Sequence, residues 1–179
     1  MGYDFVAFKQ SGAADTQEDG VFYLNISSMA VVREVLDVLG VLDRETQPPE
    51  MPPLEASFFE AAREGRALRK EELEAQHCEA RGVRSTNPGQ VPAFKFETNV
   101  GWHVTAGECA VLAEALWSCD ALTLTQAIAR ASEDPTLRLV AGLYPGALQF
   151  PGEDRATEML QAFADYCARC IAWQGFFVS

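Results

Sequence analysis

Segments with strand-type patterning lie near both ends and in the middle of this 179-residue chain, and stretches with helical periodicity fill the intervals. Residues 3–8, 21–26 and 176–178 are rich in aromatic and β-branched side chains, which favour strands. Strands so far apart in sequence share a sheet when the helices between them pack against it. The order predicts an α+β fold, with a small mixed or antiparallel sheet of about five short strands packed against six or seven helices.

The middle of the chain predicts two short strands followed by a capped helix. Residues 93–97 alternate apolar and polar side chains, and residues 102–104 return as a second strand after a turn. Thr105 and Glu108 have the spacing of a capping box, so we expect a helix to begin after Thr105. The apolar stripe predicted for this helix consists of Cys109, Leu112, Ala113, Leu116 and Trp117.

Helical periodicity recurs in six other stretches, which are residues 29–39, 54–66, 67–80, 124–131, 137–144 and 152–172. Ser27 or Ser28 is the expected N-cap of the first, and Gly40 is expected to end it. Thr123 is the expected cap of the fourth. Four prolines within residues 43–53 predict a surface loop, since the chain before them is too short for a separate domain. We expect residues 1–179 to form a single globular domain.

The charge of the chain bears on its partners. The sequence has 14 Lys and Arg against 26 Asp and Glu, a formal net charge of −12. Such a chain repels nucleic-acid phosphates and anionic membrane surfaces, so we expect neither as a partner. A basic protein partner is compatible with this field, and so is a simple role in solubility. The absence of a signal segment and of a membrane-length apolar run predicts a cytoplasmic protein with reduced thiols.

The cysteines contain one pair with redox or metal-site spacing, Cys167 and Cys170. A redox pair normally lies at a helix N-terminus, where the thiol pKa is lowered, whereas these two fall within a predicted helix on its apolar stripe. A zinc site would need two further ligands, and the sequence has no second CxxC and no HxxxH motif. The pattern favours burial in the core, and we expect no metal and no cofactor.

His103 is the best candidate for a catalytic side chain. Strand alternation would send Trp102 and Val104 to the core and His103 to the opposite face, beside Asn99 and Glu108. An imidazole oriented by a carboxylate can act as a general acid or base, so the candidate catalytic residues are His103, Asn99 and Glu108. The alternative interpretation is a polar strand residue next to a turn.

Three parts of the chain together resemble a group of small bacterial proteins: residues 19–26, residues 99–109, and residues 163–167 with 175–178. In that group a GW-x-V-[ST]-x-x-E-C segment forms a strand-to-helix turn before an apolar helix, which corresponds to residues 101–109 here. The resemblance implies a bacterial, cytoplasmic protein of one domain. It implies no activity and adds no site residue.

Two main hypotheses of function follow from these observations. The first is an acidic protein-binding or inhibitory module, similar in role to an immunity protein, which neutralises a basic partner without catalysis. The alternative is a small-molecule-binding protein or hydrolase-like enzyme with its site around His103. A third possibility is a subunit of a homo-oligomer.

Overall fold

The computed structural model describes residues 2–7, 20–50, 75–76, 78–98, 100–143 and 148–178. In chain order its strands are β1 (Gly2–Ala7), β2 (Val21–Asn25), β3 (Leu42–Asp43), β4 (Val91–Pro92), β5 (Trp102–Thr105) and β6 (Gly175–Val178). Its α-helices are α1 (Ile26–Val38), α2 (Ala106–Trp117), α3 (Ala121–Glu133), α4 (Pro135–Leu143) and α5 (Glu153–Ala172). A 3₁₀ helix, Ala93–Phe96, lies between β4 and β5.

The principal sheet has four strands in the order β2-β1-β6-β5, and every neighbouring pair is antiparallel. β3 and β4 form a separate parallel pair. This arrangement confirms the predicted α+β class. The first and last described strands are neighbours in the sheet, so its centre is assembled from residues more than 160 positions apart.

One face of the sheet packs against the helices because side chains alternate along each strand. Phe5, Val104 and Phe176 point to this face and are fully buried in a single cluster with residues of α1, α2, α3 and α5. The hydroxyl of Tyr166 on α5 donates to the carbonyl of Phe5 at 2.7 Å, so the one polar atom of this buried ring is satisfied. The helix layer and the sheet therefore share one core.

The predicted strand over residues 93–97 is wrong, because a 3₁₀ helix begins directly after β4. All four residues of this helix are buried, including Lys95, so the alternation of apolar and charged residues does not mark a buried and an exposed face. The predicted hairpin is also wrong, since β5 pairs with β6. At Gly175 this pairing needs glycine, because φ is +111° and a Cβ there would lie 1.9 Å from the carbonyl oxygen of Val104.

Helix starts follow local capping chemistry, with two corrections. Thr105 caps α2 through a complete capping box with Glu108, as predicted. The cap of α1 is Asn25, whose side chain accepts from the Ser28 amide at 2.8 Å, so neither expected serine serves. Asp120 caps α3 in the place predicted for Thr123, because its carboxylate accepts from the Thr123 amide at 2.7 Å.

The remaining helix predictions divide between described and undescribed parts of the chain. The helix predicted over residues 152–172 is present as α5, and α4 begins at Pro135 after the cap Asp134. The prediction for residues 54–66 lies outside the described residues, as does most of residues 67–80, of which 75–76 and 78–80 are helical. Among the helices that the structure describes, none has both the length and the hydropathy of a membrane span.

Candidate functional site

His103 lies on the face of the sheet opposite the shared core, as strand alternation predicts, and Gly82, just after the helical residues 78–81, lies close to its ring. Its side chain is half-buried, and its ring packs at 5.0 Å between centroids from that of Phe177 on β6. Nε2 lies 3.1 Å from the carbonyl oxygen of Gln174, and because a carbonyl oxygen only accepts, this nitrogen is the donor of that hydrogen bond. Burial lowers the pKa of His103, which favours the neutral form.

Glu108 does not serve as the carboxylate partner expected for this imidazole. Its Oε1 and Oε2 accept from Lys95 Nζ at 2.8 and 2.9 Å, and Oε2 also accepts from the Thr105 amide at 2.8 Å. Both oxygens are thus engaged by the buried ion pair and by the capping box of α2. Asn99, the third candidate, lies outside the described residues. Of the three candidate catalytic residues, the structure therefore describes two. His103 is half-buried, and Glu108 is buried and has a structural role.

Lys95 is the residue that the sequence interpretation missed at this position. Its side chain is fully buried, and its ammonium makes a third hydrogen bond, to the carbonyl oxygen of His103 at 2.7 Å. All three ammonium protons therefore have acceptors. Burial lowers the pKa of Lys95, while the adjacent Glu108 opposes that shift. The pair joins the 3₁₀ helix, β5 and the start of α2 and acts as an internal clamp.

The thiols of Cys109, Cys167 and Cys170 lie in the core, as the apolar stripes of their helices predict. Burial raises the pKa of each thiol, to about 11 at Cys170. Protonated, buried thiols are poor nucleophiles and poor metal ligands. Among the described residues, no group of three or more His, Cys, Asp or Glu side chains has the geometry of a metal site.

A second polar cluster lies at the opposite end of α2, on the outside of the molecule. Trp117 is 52% exposed, and its indole N–H donates to the Asp165 carboxylate on α5 at 3.1 Å. Beside it, Leu116, Leu124 and Leu160 form the apolar floor of a small depression of about 150 Å³, which Trp117 and Asp120 also line. We call the exposed residues of this region the Trp117 surface, which consists of Glu114, Trp117, Asp120, Glu158 and Asp165.

The prediction that Trp117 belongs to the core is wrong, and helix geometry explains why. At 100° per residue, the buried residues Cys109, Leu112, Ala113 and Leu116 span about 100° of the helix, and Trp117 lies about 40° outside the edge of that arc. It is also the last residue of α2, where the chain turns away. The sequence did contain a signal for this exposure, because Trp117 lies both at the edge of the apolar stripe and at the end of the helix.

Comparisons of the chain with protein-family models, with curated proteins and with solved structures match nothing. The functional interpretation therefore depends on the geometry of the described residues. Within the described residues, the buried Lys95–Glu108 clamp and the exposed Trp117 surface are the features considered for function.

Proposed function

We propose that the chain is an acidic binding module without catalysis, which recognises a basic protein partner through the Trp117 surface. The proposal includes a cytoplasmic, bacterial setting and an inhibitory role, in which occupation of the partner's basic site blocks its activity. The observation that carries the proposal is the large exposed indole at the junction of α2, α3 and α5, which is hydrogen-bonded to the Asp165 carboxylate and lies beside Asp120.

The charge of the Trp117 surface supports a cationic partner. Glu114 lies one turn before Trp117 on α2, and Glu158 lies two turns before Asp165 on the same face of α5. With Asp120, which lines the depression beside the indole, the Trp117 surface has four exposed carboxylates. The basic residues nearest to them in sequence are Arg155, three positions before Glu158, and Arg169, four positions after Asp165. The formal charge of −12 for the whole chain adds long-range attraction for a basic protein.

The geometry suits a lysine or arginine side chain in particular. An aliphatic stem can pack in the depression whose floor is Leu116, Leu124 and Leu160, while its charged end lies over the indole or against a carboxylate. Aromatic residues are typical anchors of protein interfaces, and carboxylates at the rim increase association rates and specificity. The hydrogen bond from Trp117 to Asp165 fixes the ring before binding, which reduces the entropy lost on association.

The rival enzyme hypothesis has weaker support. A general base needs a partner that orients it, and the carboxylate of Glu108 is held by Lys95 and by the Thr105 amide. The pKa of His103 is lowered by burial, and Nε2 already donates to the main chain at Gln174. If His103 is a catalytic base, His103→Ala abolishes turnover without lowering the melting temperature.

A defined cationic probe tests the proposal by nuclear magnetic resonance of the ¹⁵N-labelled protein. We expect acetylated tetra-arginine to shift the indole N–H resonance of Trp117 and the amides near Asp120 and Asp165. The indole of Trp102 provides an internal reference, because it is buried and bonded to Thr98 at 3.0 Å. Raising the salt concentration from 50 to 500 mM should weaken the effect, since charge attraction contributes to it.

Charge-reversal variants give the matched control. Asp165→Lys should reduce tetra-arginine affinity at least fivefold, whereas Glu133→Lys makes the same change in net charge on an exposed residue at the far end of α3. Similar affinities for the two variants would leave only the net charge as an explanation and would overturn the assignment to the Trp117 surface. Equal binding of tetra-glutamate would overturn the basic-partner proposal as a whole.

A further inference from the structure

A cavity of about 770 Å³ lies between α1, α4 and the start of β1 and shares no lining residue with the depression beside Trp117. This volume falls within the range of about 300–1,000 Å³ typical of small-molecule sites. Most of its lining is apolar, with Met29 and Ala30 from α1 and Leu137 and Val140 from α4. The cavity is independent of the surface on which the proposed function depends.

The helix that forms one wall of this cavity is incompletely packed. α4 has the apolar periodicity of a helix that packs on a core, yet none of its residues is buried. Leu137 and Val140 face the cavity and are only half-buried, and the cavity separates them from Met29 on α1. An apolar molecule between the two helices would bury these side chains and supply the contacts that α4 lacks.

Among the described residues that line the cavity, one cation, Arg33, lies with two carboxylates, Asp134 and Glu97. Within the described residues, the guanidinium of Arg33 makes no hydrogen bond and no ion pair, although it lines the cavity. The two carboxylates of the lining are already engaged. Asp134 accepts from the amides of Thr136 and Leu137 at 2.7 and 3.1 Å, and Glu97 lies 4.0 Å from Arg44.

We propose that this cavity is a binding site for a small monocarboxylate with an apolar body. The carboxylate pairs with the guanidinium of Arg33, which offers a planar fork of N–H donors suited to it. The apolar body lies between Met29 on α1 and Leu137 and Val140 on α4. Occupation therefore completes the packing of α4 against α1 and links binding of the ligand to the order of that helix.

Isothermal titration calorimetry with two probes tests the site, using decanoate below its micelle concentration and 1-naphthylacetate. We expect saturable one-site binding of at least one of them, at least tenfold tighter than binding of decyltrimethylammonium. Hydrogen exchange should slow in α4 when the bound probe is present, because the helix gains packing. A probe that instead slows exchange only near Trp117 occupies the other surface and overturns the assignment.

Arg33→Gln should weaken carboxylate binding at least tenfold, while Arg169→Gln, the same charge change on an exposed residue of α5, should alter it less than twofold. Val140→Trp should abolish binding by filling the cavity, which keeps the test valid if the Arg33 variant is unstable. Three outcomes would overturn the proposal. Neither carboxylate binds saturably, Arg33→Gln binds with unchanged affinity, or the cationic probe binds more tightly than the carboxylates. None of these outcomes bears on tetra-arginine binding, so the two proposals fail separately.

Discussion

The two ends of α2 use polar side chains in opposite ways. At its start, Glu108 is buried and every oxygen and proton of the Lys95–Glu108 pair has a partner inside the protein. At its end, the Trp117 indole and the Asp165 carboxylate contact each other but remain exposed. The comparison indicates that charge at the first end determines how the chain folds, whereas charge at the second end remains accessible to a partner.

Breaking the buried pair should give the largest loss of stability. Lys95→Met leaves the carboxylate of Glu108 buried without its cation, so we expect the free energy of unfolding to fall by about 3–5 kcal/mol. Urea denaturation measures this change, with Arg130→Met on an exposed residue of α3 as control. The double variant Lys95→Met/Glu108→Leu should recover part of the loss, since no charge is left buried. A single variant as stable as the wild type would show that Lys95 is not a clamp.

Asp43 adds a third carboxylate to the comparison of Glu108 with Asp165. Like Glu108, it is buried and fully hydrogen-bonded. Asp43 accepts from the hydroxyls of Thr46 and Ser85 and from the amides of Glu45 and Thr46, which fixes the loop after β3. Asp43→Asn should lower the free energy of unfolding at pH 7 by about 1–3 kcal/mol.

The pH dependence of this effect has a defined sign. The hydrogen bonds, chiefly from Ser85 and Thr46, hold the folded-state pKa of Asp43 well below its usual range, so its stabilisation is fully present above about pH 4 and is lost as the pH falls toward the folded-state value. Thermal denaturation between pH 7 and pH 2 should show the wild type and Asp43→Asn converging in acid. A constant difference across that range would exclude this source of stability.

The capping box at the buried end should contribute less than the ion pair beside it. Thr105 accepts from the Glu108 amide at 3.4 Å, and Thr105→Ala removes that acceptor without removing a charge. We expect a loss of about 1 kcal/mol in the free energy of unfolding, with Thr105→Ser close to the wild type. A loss as large as that of Lys95→Met would mean that the cap, and not the ion pair, is the main determinant at this end.

The exposed end should show the smallest effect on stability and a clear effect on binding. Trp117→Ala should change the free energy of unfolding by less than about 1 kcal/mol, because half of the side chain is already in water. Tetra-arginine affinity, followed through the amides near Asp165, should fall at least fivefold, with Trp117→Phe intermediate because its ring keeps a cation–π face. Unchanged affinity in Trp117→Ala would assign binding to the carboxylates alone.

Local signals in the sequence predicted much of the fold. The capping box of Thr105, the start of α5 after Gly152 and the alternation that sends His103 away from the core each depend on a few neighbouring residues. The burial of Lys95 could not be predicted in this way, because its ammonium is stable there only when Glu108, 13 residues later, lies within hydrogen-bond distance. The pairing of β5 with β6 depends on residues still farther apart.

The candidate site was less predictable than the fold for a related reason. His103 and Glu108 are near in sequence, yet their chemistry is decided by partners brought from elsewhere, Gln174 for the first and Lys95 for the second. The Trp117 surface combines α2 with Asp165, 48 residues later. Arg33 likewise becomes informative only when α4 is placed beside α1 across the cavity.

The position of β6 between β1 and β5 has a consequence for synthesis on the ribosome. β1 and β2 emerge early, but β6, the strand that covers the other edge of β1, is made only after the residues of all the other described strands. Until residue 178 has left the exit tunnel, β1 and β5 each expose an edge able to pair with another nascent chain. We therefore expect folding to finish only after translation of β6, at a rate limited by closure of this long loop.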